Sequence, residues 1–92
     1  MATKEQKETA WEKAKKIRGK DPNRYRKDPY NNTIYKSSYG KPSEMGWEVD
    51  HIKPVSKGGS DSTRNLQALN TKVNRQKGND QRKKSRLSKS NK

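Results

Sequence analysis

Residues 47–78 read WEVDHIKPVSKGGSDSTRNLQALNTKVNRQKG and carry the strongest structural signals of this chain. Apolar and polar residues alternate at its start, which predicts a strand over 47–52. Pro54 ends that strand because proline has no N–H for a strand ladder. The glycine-rich residues 57–61 predict a loop. The apolar residues at 66–69 predict a second short strand.

A short helix is predicted after the second strand. Asn70 or Thr71 can cap its first turn, since both side chains accept hydrogen bonds from free backbone N–H groups. The helix runs to about Lys77, and Gly78 suits its end. Two strands followed by a helix predict a small α+β unit.

Two further elements are predicted before this unit. Residues 3–18 carry apolar side chains at helical spacing and begin with the capping-box pair Thr3 and Gln6, which predicts a helix. Asn31 and Asn32 predict a two-residue hairpin turn, because asparagine tolerates positive φ.

The composition limits what the chain can be. Only 23% of its 92 residues are apolar and 37% are charged, which excludes a large enzyme core and a second domain. No run approaches the roughly 18 apolar residues of a membrane span, so no membrane partner is expected. Cysteine is absent, which excludes disulfides. The polar N-terminus has no apolar export signal, so a cytoplasmic location is expected.

The net charge of +14 lies mostly on the flanks of the sequence. Residues 1–30 hold ten basic and five acidic side chains, residues 31–69 five and four, and residues 70–92 nine and one. Such an excess favours a polyanionic partner, most often nucleic acid. The alternatives are charge that only solubilises the chain and a basic tail that binds RNA loosely. Residues 80–92 are predicted to be a disordered basic tail.

Four short motifs follow one another along the quoted stretch. They are Asp-His-Ile-x-Pro from Asp50, Gly-Gly-x-Asp from Gly58, Asn-Leu-Gln-x-Leu from Asn65 and Asn-x-x-Lys-Gly from Asn74. In this order and spacing they resemble the HNH endonuclease family, the ββα-metal nucleases, over residues 47–79. The spacing back to about Trp11 resembles the N-terminal part of some bacterial and phage members.

The resemblance implies a domain organisation. Residues 25–79 are expected to be the HNH nuclease domain, with 47–79 as its motif core. Residues 1–24 are expected to be a basic N-terminal helical extension.

The chemistry of phosphodiester hydrolysis points to the same residues. The reaction needs an activated water, charge neutralisation on the phosphate and help for the leaving oxygen. His51 is the only histidine and therefore the only ordinary base for neutral pH. A divalent cation suits the other two tasks. The resemblance implies that His51 is the general base and that Asp50 and Asn74 hold the metal.

Two further residues are expected to shape the loop after the first strand. The resemblance implies that Asn65 ties the loop with side-chain to backbone hydrogen bonds and so fixes His51. Asp61 is expected either to tighten the Gly-Gly loop or to be an ordinary turn residue. A regular strand would point Asp50 and His51 to opposite faces. We therefore expect Asp50 to be the last strand residue and His51 to begin the loop.

Four cations near the motif are expected to contact phosphates. They are Lys53, Lys57, Arg75 and Lys77. A solvated lysine is the alternative for Lys77.

The chain departs from the common family pattern in two ways. The final histidine of the motif is Asn74 here, as in the variant called HNN. Since an amide oxygen is a hard ligand, Mg²⁺ or Mn²⁺ is expected, with weak support by Zn²⁺. The two Cys-x-x-Cys pairs of many members are missing, so no structural zinc is expected. The core is expected to consist of Trp47, Val49, Ile52, Leu66, Leu69 and Val73, with Trp11 and the tyrosines around them.

The predicted function is a metal-dependent endonuclease that hydrolyses DNA phosphodiester bonds. One such site cuts one strand, so a monomer is expected to nick. RNA as substrate, a homodimer and a larger protein assembly stay open. The alternative is a catalytically inactive nucleic-acid-binding module, which the basic charge alone would produce.

Overall fold

The computed structural model of the protein describes residues 2–77, including the side chains of residues 2–76. Its helices and strands are, in chain order, α1 (Lys4–Lys13), β1 (Lys15–Lys16), β2 (Tyr25–Lys27), β3 (Thr33–Tyr35), β4 (Trp47–His51), β5 (Leu66–Asn70) and α2 (Thr71–Lys77). Strands β1, β2 and β3 form one antiparallel sheet in that order, and β4 and β5 form a second. The fold is α+β, as the sequence predicts. The predicted tail and Gly78 lie outside the described residues.

The β4–β5 hairpin and α2 form the predicted two-strand and helix unit. All five residues of β4 pair with β5, from Trp47 opposite Asn70 to His51 opposite Leu66. Helix α2 begins directly after β5. Asn70 caps it, because its side-chain oxygen accepts hydrogen bonds from the backbone N–H groups of Lys72 and Val73.

Helix α1 begins as predicted and ends earlier than predicted. Thr3 and Gln6 form the full capping box. The helix stops at Lys13, whereas the sequence pattern predicts it to residue 18. The buried guanidinium of Arg26 donates to the backbone carbonyls of Glu12 and Ala14. These contacts and the pairing of β1 with β2 replace the last turn of the predicted helix.

The hairpin of β2 and β3 is present, but its loop spans five residues, 28–32, instead of the predicted two. Asp28 is fully buried and organises this loop. One of its carboxylate oxygens accepts hydrogen bonds from the backbone N–H groups of Tyr30 and Asn32, both at 2.9 Å. Asn31 has the positive φ expected of asparagine in a turn, 70°.

The core lies between α1 and the β4–β5 hairpin. The rings of Trp11 and Trp47 pack with centroids 5.2 Å apart, and Tyr39 meets Trp47 edge-on at 4.9 Å. The expected core residue Ile52 is 39% exposed, because it follows the end of β4 and lies outside the sheet. Other buried apolar residues are Ala10, Ile34, Leu66, Ala68, Leu69 and Val73. Across residues 2–77, no helix has the length and apolar character needed to cross a membrane.

Candidate active site

Strand β4 carries the Asp-His pair, and its geometry corrects the expected arrangement. His51 is a regular strand residue opposite Leu66, so the strand does not end at Asp50. Strand alternation then places the two side chains on opposite faces of the hairpin. The expectation that both face one phosphate through an early strand end is therefore wrong.

The loop after β4 is held by the Gly-Gly pair and by Asn65. Gly58 has a φ of 93°, in the left-handed region that favours glycine. A side chain at Gly59 would clash with the backbone carbonyl of Lys53. Asn65 accepts a hydrogen bond from the Lys53 N–H at 2.8 Å and donates to the carbonyls of Lys53 and Ser60 at 3.0 and 2.7 Å. The side-chain to backbone ties expected of Asn65 are thus present.

The same loop brings a carboxylate to the histidine. Nε2 of His51 lies 2.7 Å from Oδ1 of Asp61, although Asp61 itself is mostly exposed. This contact orients the imidazole ring within the site. The sequence predicts a turn role for Asp61 and does not predict this contact.

A cleft of about 680 Å³ opens beside His51 along the edge of β4 that does not pair with β5. Near the start of β4 this edge is covered by Tyr39, which forms an isolated bridge with Trp47. The other lining residues include Glu48, Val49, His51, Asp61 and Asn74, together with Ala2, Thr3, Gln6 and Lys7 from the N-terminal segment. The cleft therefore brings together the histidine of β4 and the asparagine of α2.

Glu48 connects β4 to α2 beside this cleft. One of its carboxylate oxygens accepts a hydrogen bond from Nδ2 of Asn74 at 2.9 Å, and the other lies 3.2 Å from the guanidinium of Arg75. Because Nδ2 of Asn74 donates to Glu48, the amide oxygen is the Asn74 atom that remains suited to a cation. None of the sequence motifs marks Glu48, because its contact with Asn74 joins residues of two elements that lie 26 positions apart.

Asp50 is not among the residues that line the cleft. Only 6% of it is exposed, and its carboxylate accepts a hydrogen bond from Gln67 at 2.8 Å. Burial raises the pKa of the Tyr30 phenol, and the charges of Asp50 and Asp28 raise that pKa further. Asp50 is therefore near the 28–32 loop, and the two residues expected to hold a metal are not joined by one cleft.

The expected phosphate contacts lie around the cleft rather than in it. Lys53 and Lys57 are exposed on the loop after β4, and Arg75 is exposed on α2 with Glu48 as its partner. The side chain of Lys77 lies outside the described part of the structure. Lys7 of α1 is the one lysine or arginine among the cleft-lining residues that the structure describes.

The oxygen donors suit a hard divalent cation, but only one whose coordination shell is completed by water and substrate. Among the described residues, no group of three His, Cys, Asp or Glu side chains is arranged to hold a metal ion. Mg²⁺ is commonly bound by only one or two protein carboxylates, with water and substrate phosphate oxygens completing its shell. A carboxylate together with the Asn74 amide oxygen suits this kind of binding, whereas a fully protein-enclosed metal centre does not fit.

Comparison with known proteins gives one match. Residues 37–80 match the family model described as HNH endonuclease. The matched region contains β4, β5 and α2 and begins after α1 and the first sheet. No curated protein and no solved structure matches the chain.

Proposed function

We propose that this protein is a metal-dependent endonuclease that hydrolyses DNA, because residues 37–80 match the model of the HNH endonuclease family, whose members are typically nucleases that use divalent metal ions. The observation that carries the proposal is the position of His51 and Asn74 on one cleft of about 680 Å³. The net charge of +14 supports a nucleic acid as the substrate.

His51 is the proposed general base. It lines the cleft, and an imidazole is the side chain best suited to take up the proton of an attacking water near neutral pH. Asp61 orients the ring through its contact with Nε2. Asn65 supports the base indirectly, since it fastens the loop that follows His51 at Lys53 and Ser60.

The proposed holders of the divalent ion are Asn74 and a carboxylate of β4, with Mg²⁺ or Mn²⁺ as the expected ions because both offer hard oxygen ligands. Asp50 is the carboxylate that the family resemblance implies, although it lies outside the cleft that Asn74 lines. Such an ion, when bound, supplies charge neutralisation at the phosphate and at the leaving oxygen. Glu48 is a second candidate carboxylate, because it contacts Asn74 directly and lines the cleft.

Phosphates outside the cleft are proposed to contact Lys53, Lys57, Arg75 and Lys77. The proposed reaction is a single-strand nick by a monomer, since each chain has one histidine and therefore one candidate general base.

The test is cleavage of supercoiled plasmid by the wild-type protein and His51→Ala, each in Mg²⁺, Mn²⁺ and EDTA. We expect nicked circles from the wild-type protein only, with no product in EDTA. The variant, purified in the same way, controls for contaminating nucleases, and its unfolding curve controls for loss of the fold. Equal cleavage by both proteins would remove His51 as the base. Equal plasmid binding without cleavage in any metal would instead favour a nucleic-acid-binding module.

A further inference from the structure

The lining of the candidate cleft comes partly from outside the family match. Ala2, Thr3, Gln6 and Lys7 line the same cleft as His51 and Asn74, whereas the family match begins at residue 37. Helix α1 is fixed in this position by the buried Trp11, which packs on Trp47 of β4. The N-terminal segment is thus part of the site and not only an appendage.

The charges in the cleft single out one residue of the N-terminal segment as a candidate phosphate contact. Glu48 and Asp61 contribute two carboxylates, which repel a phosphodiester. Thr3 and Gln6 are already engaged with each other in the capping box. Lys7 is the one fixed cation among the described residues that line the cleft.

The side chain of Lys7 is held by a contact with an aromatic ring. Its Nζ lies 4.4 Å from the centroid of the Tyr39 ring, a cation–π contact, and Tyr39 also lines the cleft. No ion pair joins Lys7 to a carboxylate within the described residues, in contrast to Arg75, whose charge Glu48 partly offsets. Lys7 therefore keeps its charge available for an anion in the cleft.

We propose that Lys7 binds a phosphate group of the DNA strand held in the cleft, so that α1 completes the substrate site. The inference rests on the proposed function, because it assigns a further contact in the same cleft. It predicts a direct contact at one phosphate and not a general effect of basic charge.

The test uses binding as well as cleavage. Lys7→Gln, Lys7→Arg and Lys16→Gln are compared with the parent protein in a His51→Ala background, which removes cleavage from the binding measurement. Lys16 is the matched control, since it is an exposed lysine on β1 that lines none of the described pockets around the cleft. Anisotropy with a short DNA duplex at several NaCl concentrations gives the affinity and its salt slope.

We expect Lys7→Gln to weaken binding about tenfold, the usual scale for one charge-assisted contact. We also expect it to reduce the log–log salt slope by about 0.9, the value for one phosphate contact. Lys7→Arg should restore both quantities, and Lys16→Gln should change them less. Equal effects of Lys7→Gln and Lys16→Gln would overturn the proposal, provided that both variants unfold like the parent.

Cleavage by the otherwise wild-type protein separates the two proposals. If the wild-type protein nicks plasmid, Lys7→Gln should lower kcat/KM by about the same tenfold factor. If the wild-type protein binds but does not nick, the hydrolytic function fails while the binding comparison still decides the role of Lys7. If cleavage occurs and Lys7→Gln changes neither binding nor kcat/KM, the contact is absent and the endonuclease stands.

Discussion

Oδ1 of Asp61 lies 2.7 Å from Nε2 of His51, which joins the loop after β4 to the only histidine of the chain. The bond spans ten residues and orients the ring at a point where the strand leaves the sheet. A carboxylate bonded to one ring nitrogen fixes the orientation of an imidazole. Asp61 is therefore a positioning residue in the proposed mechanism.

Replacing Asp61 by Asn should lower kcat about tenfold to hundredfold, since general-base catalysis contributes roughly 10²–10⁴-fold and only its orientation is impaired. KM should stay equal or fall, because one negative charge leaves a cleft that binds an anion. Steady-state nicking with Asp61→Asn and Asp61→Glu measures this split. Glu44→Gln, which removes an exposed carboxylate outside the cleft, is the control. An unchanged kcat in Asp61→Asn would show that the contact does not act in catalysis.

The carboxylate that holds the divalent ion can be identified by substitution. Asp50→Asn and Asn74→Ala should each weaken Mn²⁺ binding at least tenfold if Asp50 and Asn74 are the ligands. Glu48→Gln should leave that binding nearly unchanged, because the substitution keeps an oxygen opposite Nδ2 of Asn74. Calorimetric titration with Mn²⁺ in the absence of DNA measures affinity without relying on activity.

The reverse result would reassign the metal. Loss of Mn²⁺ binding in Glu48→Gln, with Asp50→Asn unaffected, would make Glu48 the ligand. Such a result would agree with the buried position of Asp50 outside the cleft.

Substitution of Asn65 tests whether its side chain holds the loop after β4 in place. Asn65→Ala removes the acceptor of the Lys53 N–H and both donors to backbone carbonyls, which should cost about 1–3 kcal/mol of unfolding free energy. The amide of Lys53 should then exchange hydrogen faster than in the wild-type protein. Hydrogen exchange followed by NMR measures this directly, and Arg64→Ala, at an exposed neighbouring position, is the control. Unchanged protection at Lys53 would mean that the loop is held by other contacts.

The unit β4–β5–α2 could be predicted because its signals are local. Strand alternation, the glycine loop and the Asn70 cap all lie within residues 47–78, and each acts over a few positions. The ties of Asn65 follow the same logic, since its partners lie within the loop it closes. The residues that the motif marks are therefore well placed by sequence alone.

The remaining features depend on contacts between distant parts of the chain. The end of α1 is set by Arg26, thirteen residues beyond Lys13, so it cannot be predicted from a local pattern in residues 3–18. The carboxylate of Asp28 accepts the backbone N–H of Asn70, forty-two residues away. The place of Lys7 in the cleft depends on how α1 packs against β4. Helical and strand periodicity describe faces within one element and do not say which faces meet.

Arg26 should be a major source of stability in a chain without disulfides or a cysteine zinc site. Arg26 is 3% exposed and donates to the carbonyls of Glu12, Ala14 and Pro22. Arg26→Ala should lower the unfolding free energy by about 3 kcal/mol, since it leaves these acceptors without their charged donor. Arg24→Ala, at a side chain 69% exposed, should change it by less than about 0.5 kcal/mol. Urea unfolding measures both variants, and equal midpoints would contradict the structural role of Arg26.

Tyr39 makes the stability sensitive to alkaline pH. Burial raises the pKa of its phenol above the ordinary value of about 10, the charge of Glu48 raises it further, and a hydrogen bond with the backbone of Val49 opposes the shift. Above pH 10 the unfolded chain loses this proton while the folded protein keeps it, so the unfolding free energy falls as pH rises.

Tyr39→Phe should be about 1 kcal/mol less stable at pH 8, because it lacks the hydroxyl contact. Its stability should then fall less steeply than that of the wild-type protein between pH 9.5 and 11, a window set by the ordinary tyrosine pKa. Lysines titrate in the same range in both proteins, so the difference between the two urea-unfolding profiles isolates Tyr39, and parallel profiles would exclude its contribution.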